Sequence, residues 1–342
     1  MYARITHIRS LLYDKGIFKA SEFDFPIINV GNLAVGGSGK TPHIEYLIRL
    51  LKSNYKLATL SRGYGRTTRG FREVLSADKA SESGDEPLQL KQKFPSIAVF
   101  VGEDRVEAIT KLLFLKPETE VILLDDAYQH RAIKAGMNIL LSEHSLIFTR
   151  DKSMPVGRLR EYPSAAKRAN MVIITKCPDS IDEQEKLSIK QEIKEFTAAP
   201  VLFSKINYGT LIPFSKATID KLTNANNIMV VSGIANPTPM LAYLKDNFMP
   251  TEMAHIAFRD HHRYSTKDIV SIIEKFNSFA SQNKFIVISE KDALRLREIT
   301  QGTPFMDLPV FILPIKISFL DNDKTIFNEN IISYVRENTE NH

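Results

Sequence analysis

Ile27-Ile28-Asn29-Val30-Gly31-Asn32-Leu33-Ala34-Val35-Gly36-Gly37-Ser38-Gly39-Lys40-Thr41 opens apolar and β-branched, turns through glycines and ends on Lys-Thr. With an amphipathic helical pattern following from Thr41, this is a P-loop in its expected strand-to-helix setting. Phosphate oxygens need several backbone N–H groups converging at close range, which Gly36, Gly37 and Gly39 permit around Ser38, and a helix N-terminus adds a favourable dipole. Lys40 then faces the β- and γ-phosphates of ATP, and the Thr41 hydroxyl ligates Mg²⁺. Ala34 stands where the motif has its first glycine. An ordinary glycine-rich turn is the bland alternative.

A P-loop needs a second acid for the metal, usually at the end of a buried strand. Val121-Ile122-Leu123-Leu124-Asp125-Asp126 supplies one. Asp125 is the Walker-B candidate for Mg²⁺, and Asp126 turns toward the same cleft and is counted with Lys40 among the catalytic groups. The pair could instead cap a following helix. Gln129 and His130 follow directly, either as site residues or as loop polar groups.

From these two anchors the pattern extends both ways. Apolar runs at 27–30, 57–60, 97–101, 121–124, 138–141 and 171–175 alternate with helical stretches starting near Thr41, Asp85, Asp104 and Glu183. Strands too apolar to have a wet face predict a parallel sheet covered on both sides. A second, smaller α/β series begins after Asn224, with strands at 228–231, 253–257 and 285–288 and helices at 239–246 and 266–279. The strand-like runs 201–214 and 310–319 suit a linker and its return. The expected fold is therefore α/β, a P-loop NTPase-like parallel-sheet domain with a second, smaller α/β domain joined by a strand-like linker. Its divisions are a basic amphipathic helix (1–25), a P-loop domain (26–205), the smaller domain (206–320) and a C-terminal helix (321–342).

The 342 residues are 43% apolar and 25% charged, with a net charge of +5, so a packed core is available and anionic partners are favoured. No run approaches the roughly 18 apolar residues of a membrane span, and no signal peptide is visible, so a cytoplasmic protein is expected. The single Cys177 allows no internal disulfide. Near the N-terminus Arg4, Arg9, Lys15 and Lys19 accompany Ile5, Ile8, Leu11, Leu12 and Ile17 at helical spacing. Such a helix either lies on an anionic membrane surface or packs on its own domain.

Guanine-specific GTPases carry Asn-Lys-x-Asp where this chain reads Thr175-Lys176-Cys177-Pro178-Asp179, and partitioning ATPases carry a lysine where it has Val35. Both readings are disfavoured. A P-loop ATPase switch acting on a membrane or metal-insertion partner remains as the alternative, although no Cys or His cluster accompanies it. The arginines of 61–72 beside Tyr64 and Phe71 give the only local support for nucleic-acid binding, and no nucleic acid and no obligate protein partner is expected. In that segment Arg62 and Arg66, spaced by Gly63 and Gly65 after a strand end, either present cations to phosphate or are simply solvated.

Taken together, Val30-Gly31-Asn32 with Gly36 to His43, Ser61-Arg62-Gly63-Tyr64-Gly65-Arg66, Gly84-Asp85-Glu86-Pro87, Asp125 to His130, Leu159-Arg160-Glu161, Ser232 to Pro237, Phe258 to His262 and Ser289 to Ala293 resemble the tetraacyldisaccharide 4'-kinase family over about residues 26–295. The resemblance implies phosphorylation of the 4'-hydroxyl of tetraacyldisaccharide 1-phosphate to lipid IVA, in lipid A biosynthesis. It implies Mg·ATP as donor, an acylated disaccharide 1-phosphate lipid as acceptor, and a peripheral site on the cytoplasmic face of the inner membrane. It also implies a phosphate-binding role for Arg160, a place in the metal shell for Glu161, and Asp85 as catalytic base oriented by His261, although Asp85 could instead cap the helix it begins and His261 be a loop histidine. Ala127 departs from the family's usual glycine.

Overall fold

The computed structural model describes residues 2–215, 227–281 and 283–339, with the side chains of residues 2–4 outside that description. Arg4's side chain and the expected start of the second series after Asn224 therefore lie outside it. In chain order come α1 (Tyr2–Asp14), β1 (Ile27–Asn32), α2 (Lys40–Leu51), β2 (Leu57–Ser61), β3 (Arg72–Glu73), α3 (Ala80–Ser83), α4 (Asp85–Lys93), β4 (Ala98–Val101), α5 (Arg105–Leu115), β5 (Val121–Asp125), β6 (Met137–Glu143), β7 (Met171–Thr175), α6 (Glu183–Lys194) and β8 (Val201–Tyr208). These are followed by β9 (Ile212–Pro213), β10 (Asn227–Ser232), α7 (Thr238–Phe248), β11 (Met253–Ala257), α8 (Thr266–Asn277), β12 (Lys284–Ser289), α9 (Glu290–Thr300), β13 (Val310–Leu313), β14 (Ile315–Phe319) and α10 (Asp323–Thr339).

Contacts divide the chain into two compact units. The first comprises Met1–Asp78, Leu90–Asn207 and Ile317–His342, the second Lys79–Gln89 and Tyr208–Lys316. The first is built on a nine-stranded sheet, order β14-β8-β7-β6-β1-β5-β2-β4-β3. β1, β5 and β7 are buried along their whole length, which is why they read as unbroken apolar runs with no alternation. β1 lies parallel to both β5 and β6, Val30 opposite Asp125 on one side and Ile139 on the other. From β1 the chain leaves through α2 toward β2, whereas β6 lies on the opposite side. The carboxyl end of β1 is therefore a switch point, where open α/β sheets bind ligands.

Gly31 shows how tightly this end is built. A Cβ there would lie 2.6 Å from the Tyr128 Cβ, so only glycine fits. Farther out, Cys177 is buried in the core beside β7, donating its backbone N–H to Ser204 O at 3.0 Å. The second unit is a five-stranded sheet, order β11-β10-β12-β13-β9, whose four longer strands are parallel. α8 begins with a Ser265–Asp268 capping box, and α9 with Ser289 accepting from the Asp292 N–H.

Two features differ from the sequence reading. α10 groups with the first unit, its Tyr334 hydroxyl donating to Ile27 O at 3.2 Å at the start of β1. Residues 79–89 group with the second unit, because Ala80 N–H donates to Glu298, Glu86 pairs with Lys291, and Asp85 pairs with Arg295. The run 290–300, quoted only as a motif, is the helix α9. Its Ser289-x-x-Asp292 start is a capping signal that a stricter reading would have caught.

Candidate active site

The loop leaving β1 is pinned before it reaches its glycines. Val35 N–H donates to Arg158 O at 2.8 Å, Arg160 N–H donates to Leu33 O at 2.7 Å, and Ala34 pairs with Leu159. Ala34 thus sits in a short antiparallel bridge and needs no glycine freedom. That demand falls on Gly36 (φ 114°) and Gly39 (φ 87°), both in conformations that L side chains rarely adopt. A Cβ on Gly36 or Gly37 would meet nothing within 4 Å, so the loop's inner side is open. Gly39 is the N-cap of α2 and carries no side chain to cap it. The helix's leading N–H groups are left to an anion. The buried Ser38 Oγ likewise lacks a hydrogen-bond partner among the described residues.

Behind the loop four polar side chains interlock. Lys40 Nζ donates to Asn32 Oδ1 at 3.3 Å and lies 3.6 Å from Asp126 Oδ1. Arg160 takes Asp126 with both forks, Nη2 to Oδ1 at 2.8 Å and Nη1 to Oδ2 at 3.2 Å, and also reaches Asn32 Oδ1. Asp126 has left-handed backbone (φ 54°) immediately after β5 ends at Asp125. Burial works to raise the Asp126 carboxyl, but Lys40 and Arg160 outweigh it and hold it below the usual range. Ala127, in the glycine position of the resemblance, is buried and has no positive φ, so this turn does not need a glycine there.

Thr41 at the start of α2 and Asp125 at the end of β5 are both buried hard oxygen donors. Glu161, expected in the metal shell, is paired with Arg168, Nη2 to Oε2 at 2.7 Å and Nη1 to Oε1 at 3.3 Å. Arg66, expected at phosphate, is also paired. Its guanidinium is buried against Glu103 at 2.6 Å and the Gly70 carbonyl at 2.7 Å. Arg62 remains exposed and close enough to press electrostatically on Arg105 and His130. Arg105 was missed from sequence. Burial first, then Arg62, pull its guanidinium down to about 10, while Asp126 and Asp125 oppose the fall. Its Nε, Arg160 Nε and Gln129 Oε1 are all buried without partners among the described residues.

A second constellation lies wholly within the other unit. Asp85 opens α4, His261 sits in left-handed backbone (φ 56°), and their side chains meet with Nδ1 at 3.2 Å from Oδ2. The sequence reading drew the two from different domains; they belong to one. Burial pushes the Asp85 carboxyl up, but His261 and Arg295 overcome it and bring it down to about 2. The hydrogen bond that His261 donates to Asp85 raises the imidazole above its ordinary value despite its partial burial. Arg295 was not anticipated, since nothing in its local sequence sets it apart from a surface helix arginine.

Along α1 the polar residues face the protein. Thr6 Oγ1 donates to Arg160 O at 3.1 Å, Arg9 to Gln129 O at 2.9 Å, and Asp14 pairs with Arg131 and Lys167. Its apolar residues face out, with Ile5 61%, Ile8 58% and Leu11 40% exposed, joined by Ile17 and Phe18 just beyond the helix. Among the described residues no helix is long and apolar enough to cross a membrane.

The profile of the tetraacyldisaccharide-1-P 4'-kinase family matches residues 1–336. The tetraacyldisaccharide 4'-kinase of Bacteroides thetaiotaomicron is 40% identical to this chain, covering 100% of it and 92% of that protein. Its counterpart in Flavobacterium psychrophilum is 42% identical, covering 100% and 96%. Among solved structures, LpxK from Aquifex aeolicus in complex with ATP superposes with a TM-score of 0.73 at 26% identity, over 98% of this chain and 96% of that one.

Proposed function

The chain belongs to the tetraacyldisaccharide-1-P 4'-kinase family, and on that premise we propose how its residues divide the work of phosphorylating the 4'-hydroxyl of an acylated disaccharide 1-phosphate. The protein is a kinase of lipid A biosynthesis. The observation that carries the reading is the match over residues 1–336, which takes in the P-loop, the Asp125-Asp126 pair and the Asp85–His261 pair together.

ATP is the donor. The open inner side of Gly36–Gly37, the unpartnered Ser38 Oγ and the uncapped start of α2 suit its phosphates. Lys40 supplies the cation that follows the transferring group, and Arg160, steered by Asp126 and Asn32, a second. Thr41 and Asp125, with Glu161 paired to Arg168 completing the acidic set, would hold Mg²⁺, whose preference for hard oxygens they meet. Bound there, the ion would neutralise charge on the β- and γ-phosphate oxygens. Arg62 and Arg105 are the remaining cations for a phosphorylated sugar, whereas Arg66 shapes its own loop.

Asp85 takes the proton of the acceptor hydroxyl and His261 orients it. As the hydroxyl oxygen forms the new P–O bond, its proton passes to the carboxylate and ADP leaves with the electron pair of the broken bond. A carboxylate held near 2 is a weak base, yet it suffices if the proton leaves late, as a loose transition state allows. The outward apolar row of α1 docks the enzyme on the cytoplasmic face of the inner membrane, where its lipid substrate resides. Incubation with ATP, Mg²⁺ and the disaccharide 1-phosphate in detergent should add the mass of one phosphoryl group to the lipid. Lipid-stimulated ATP hydrolysis with no phosphorylated lipid would overturn this in favour of an ATPase switch.

A further inference from the structure

Among the described residues, each side-chain hydrogen bond to the Asp85 carboxylate falls on the same oxygen. Arg295 Nη2 donates to Oδ2 at 2.5 Å and its Nε does so at 3.0 Å, and His261 Nδ1 lies 3.2 Å from that atom. Oδ1 has no protein partner among the described residues. An arginine fork commonly spans both oxygens of a carboxylate. Here it closes on one, and so fixes the carboxylate's rotation with its other oxygen presented outward. Arg295 Nη2 also lies 3.2 Å from His261 Nδ1. An Nδ1 carrying its proton donates to Asp85, and a bare Nδ1 accepts from Arg295, so the arginine supports the ring in either state.

Arg295 is itself held in place. It is 6% exposed, and its Nη1 donates to Gly233 O at 3.0 Å and lies 3.5 Å from Asp292 Oδ1. Asp292, with no exposed surface, accepts from Gly233 N–H at 3.0 Å, Tyr264 O–H at 2.9 Å and Ser289 O–H at 2.6 Å. Gly233 O also receives the His261 N–H at 3.2 Å. A Cβ on Gly233 would come within 3.1 Å of Asp292 Oδ1 and 3.2 Å of Arg259 O, which accounts for the glycine. The Ser232–Pro237 and Ser289–Ala293 motifs, which no chemistry had absorbed, thus build the seat of one guanidinium.

We propose that Arg295 is the positioning residue of this centre, gripping Asp85 Oδ2 so that Oδ1 is aimed at the acceptor hydroxyl. The proposal rests on Asp85 acting as the base. Lysine is not equivalent here, because a point charge cannot hold a carboxylate's rotation as a planar fork does. Arg295→Met should lower kcat by at least about a hundredfold and Arg295→Lys by about tenfold, both with the KM for ATP unchanged. In an Asp85→Asn background, Arg295→Met should cost no more than about threefold further, since the arginine acts through that carboxylate. If Arg295→Met does not fold, as judged by its melt, Arg295→Lys decides. A normal kcat in Asp85→Asn would remove the reading of Asp85 as base, and this proposal with it. If Asp85→Asn is inactive while Arg295→Lys keeps wild-type kcat, the base stands and the positioning role is overturned. That role is equally overturned if kcat and the KM for ATP worsen together and the double variant is additive, which is what a merely structural arginine gives.

Discussion

Replacing His43 by asparagine tests whether the P-loop helix carries a built-in sensitivity to acid. His43 is buried in the first turn of α2, its Nδ1 2.7 Å from Gly39 O and its Nε2 3.3 Å from Ser204 Oγ. The ring is therefore neutral with its proton on Nδ1, donating to the carbonyl of the loop glycine. Burial lowers it from 6.5 to about 4. Above pH 6.5 neither the folded nor the unfolded chain protonates this residue, and pH has no hold on stability through it. Below 6.5 the unfolded chain takes up a proton that the folded one refuses, so stability falls with pH down to about 4. The gap of about 2.5 pH units corresponds to roughly 3.4 kcal/mol in full, of which about 2 kcal/mol is lost by pH 5. For a unit of this size that is about 4–8 °C in Tm. His43→Asn keeps a donor for Gly39 O but does not titrate. Calorimetric melts of both proteins at pH 7.5 and pH 5.0 should therefore show the variant gaining on wild type by that amount at the lower pH, every other group cancelling. A difference between the two proteins that stays constant across these pH values would refute the reasoning.

Three further outcomes follow from the same geometry. Lys40→Ala removes one of the two cations on Asp126 and the one nearest the loop, and turnover should fall at least about a hundredfold, with near wild-type rates excluding the phosphate role. Ile8→Asp with Leu11→Asp changes only outward-facing side chains of α1. At about 1.5–3 kcal/mol per apolar side chain, it should weaken co-sedimentation with anionic vesicles more than tenfold while ATP binding persists, and unchanged sedimentation would argue against docking. Gly31→Ala would place its Cβ 2.6 Å from that of Tyr128, an atom fixed to its own backbone, so a loss of about 1–3 kcal/mol is expected in thermal melts, and an unaltered Tm would show that the strand can yield.

The strands β1, β5, β7 and β10 were legible because burial on both faces leaves an unbroken apolar run, and the P-loop because its glycines answer a local demand for positive φ. The pairing of Asp85 with His261 followed only from the family resemblance; their types and spacing say nothing of it. What the sequence could not reveal is which charge meets which. Glu161 and Arg66 have the right chemistry for a metal and a phosphate, and Arg168, seven residues on, and Glu103, from another loop, pair with them. Arg105 and Arg295 were invisible for the converse reason, since their importance comes from neighbours distant in the chain. For α1, periodicity announced two faces and could not tell which one points outward, a matter decided by the partners that Thr6, Arg9 and Asp14 find on the protein.

Cys177 has a consequence for how this kinase can be studied. Burial pushes its thiol up to about 12, so at neutral pH only about one molecule in a hundred thousand carries the thiolate that alkylating reagents attack. It is also the single cysteine of the chain. The natural protein is therefore already a silent background for thiol labelling. A cysteine introduced at an exposed position of α1, or on the α8 surface, would take up a maleimide fluorophore or spin label alone, with no native residue needing to be replaced first.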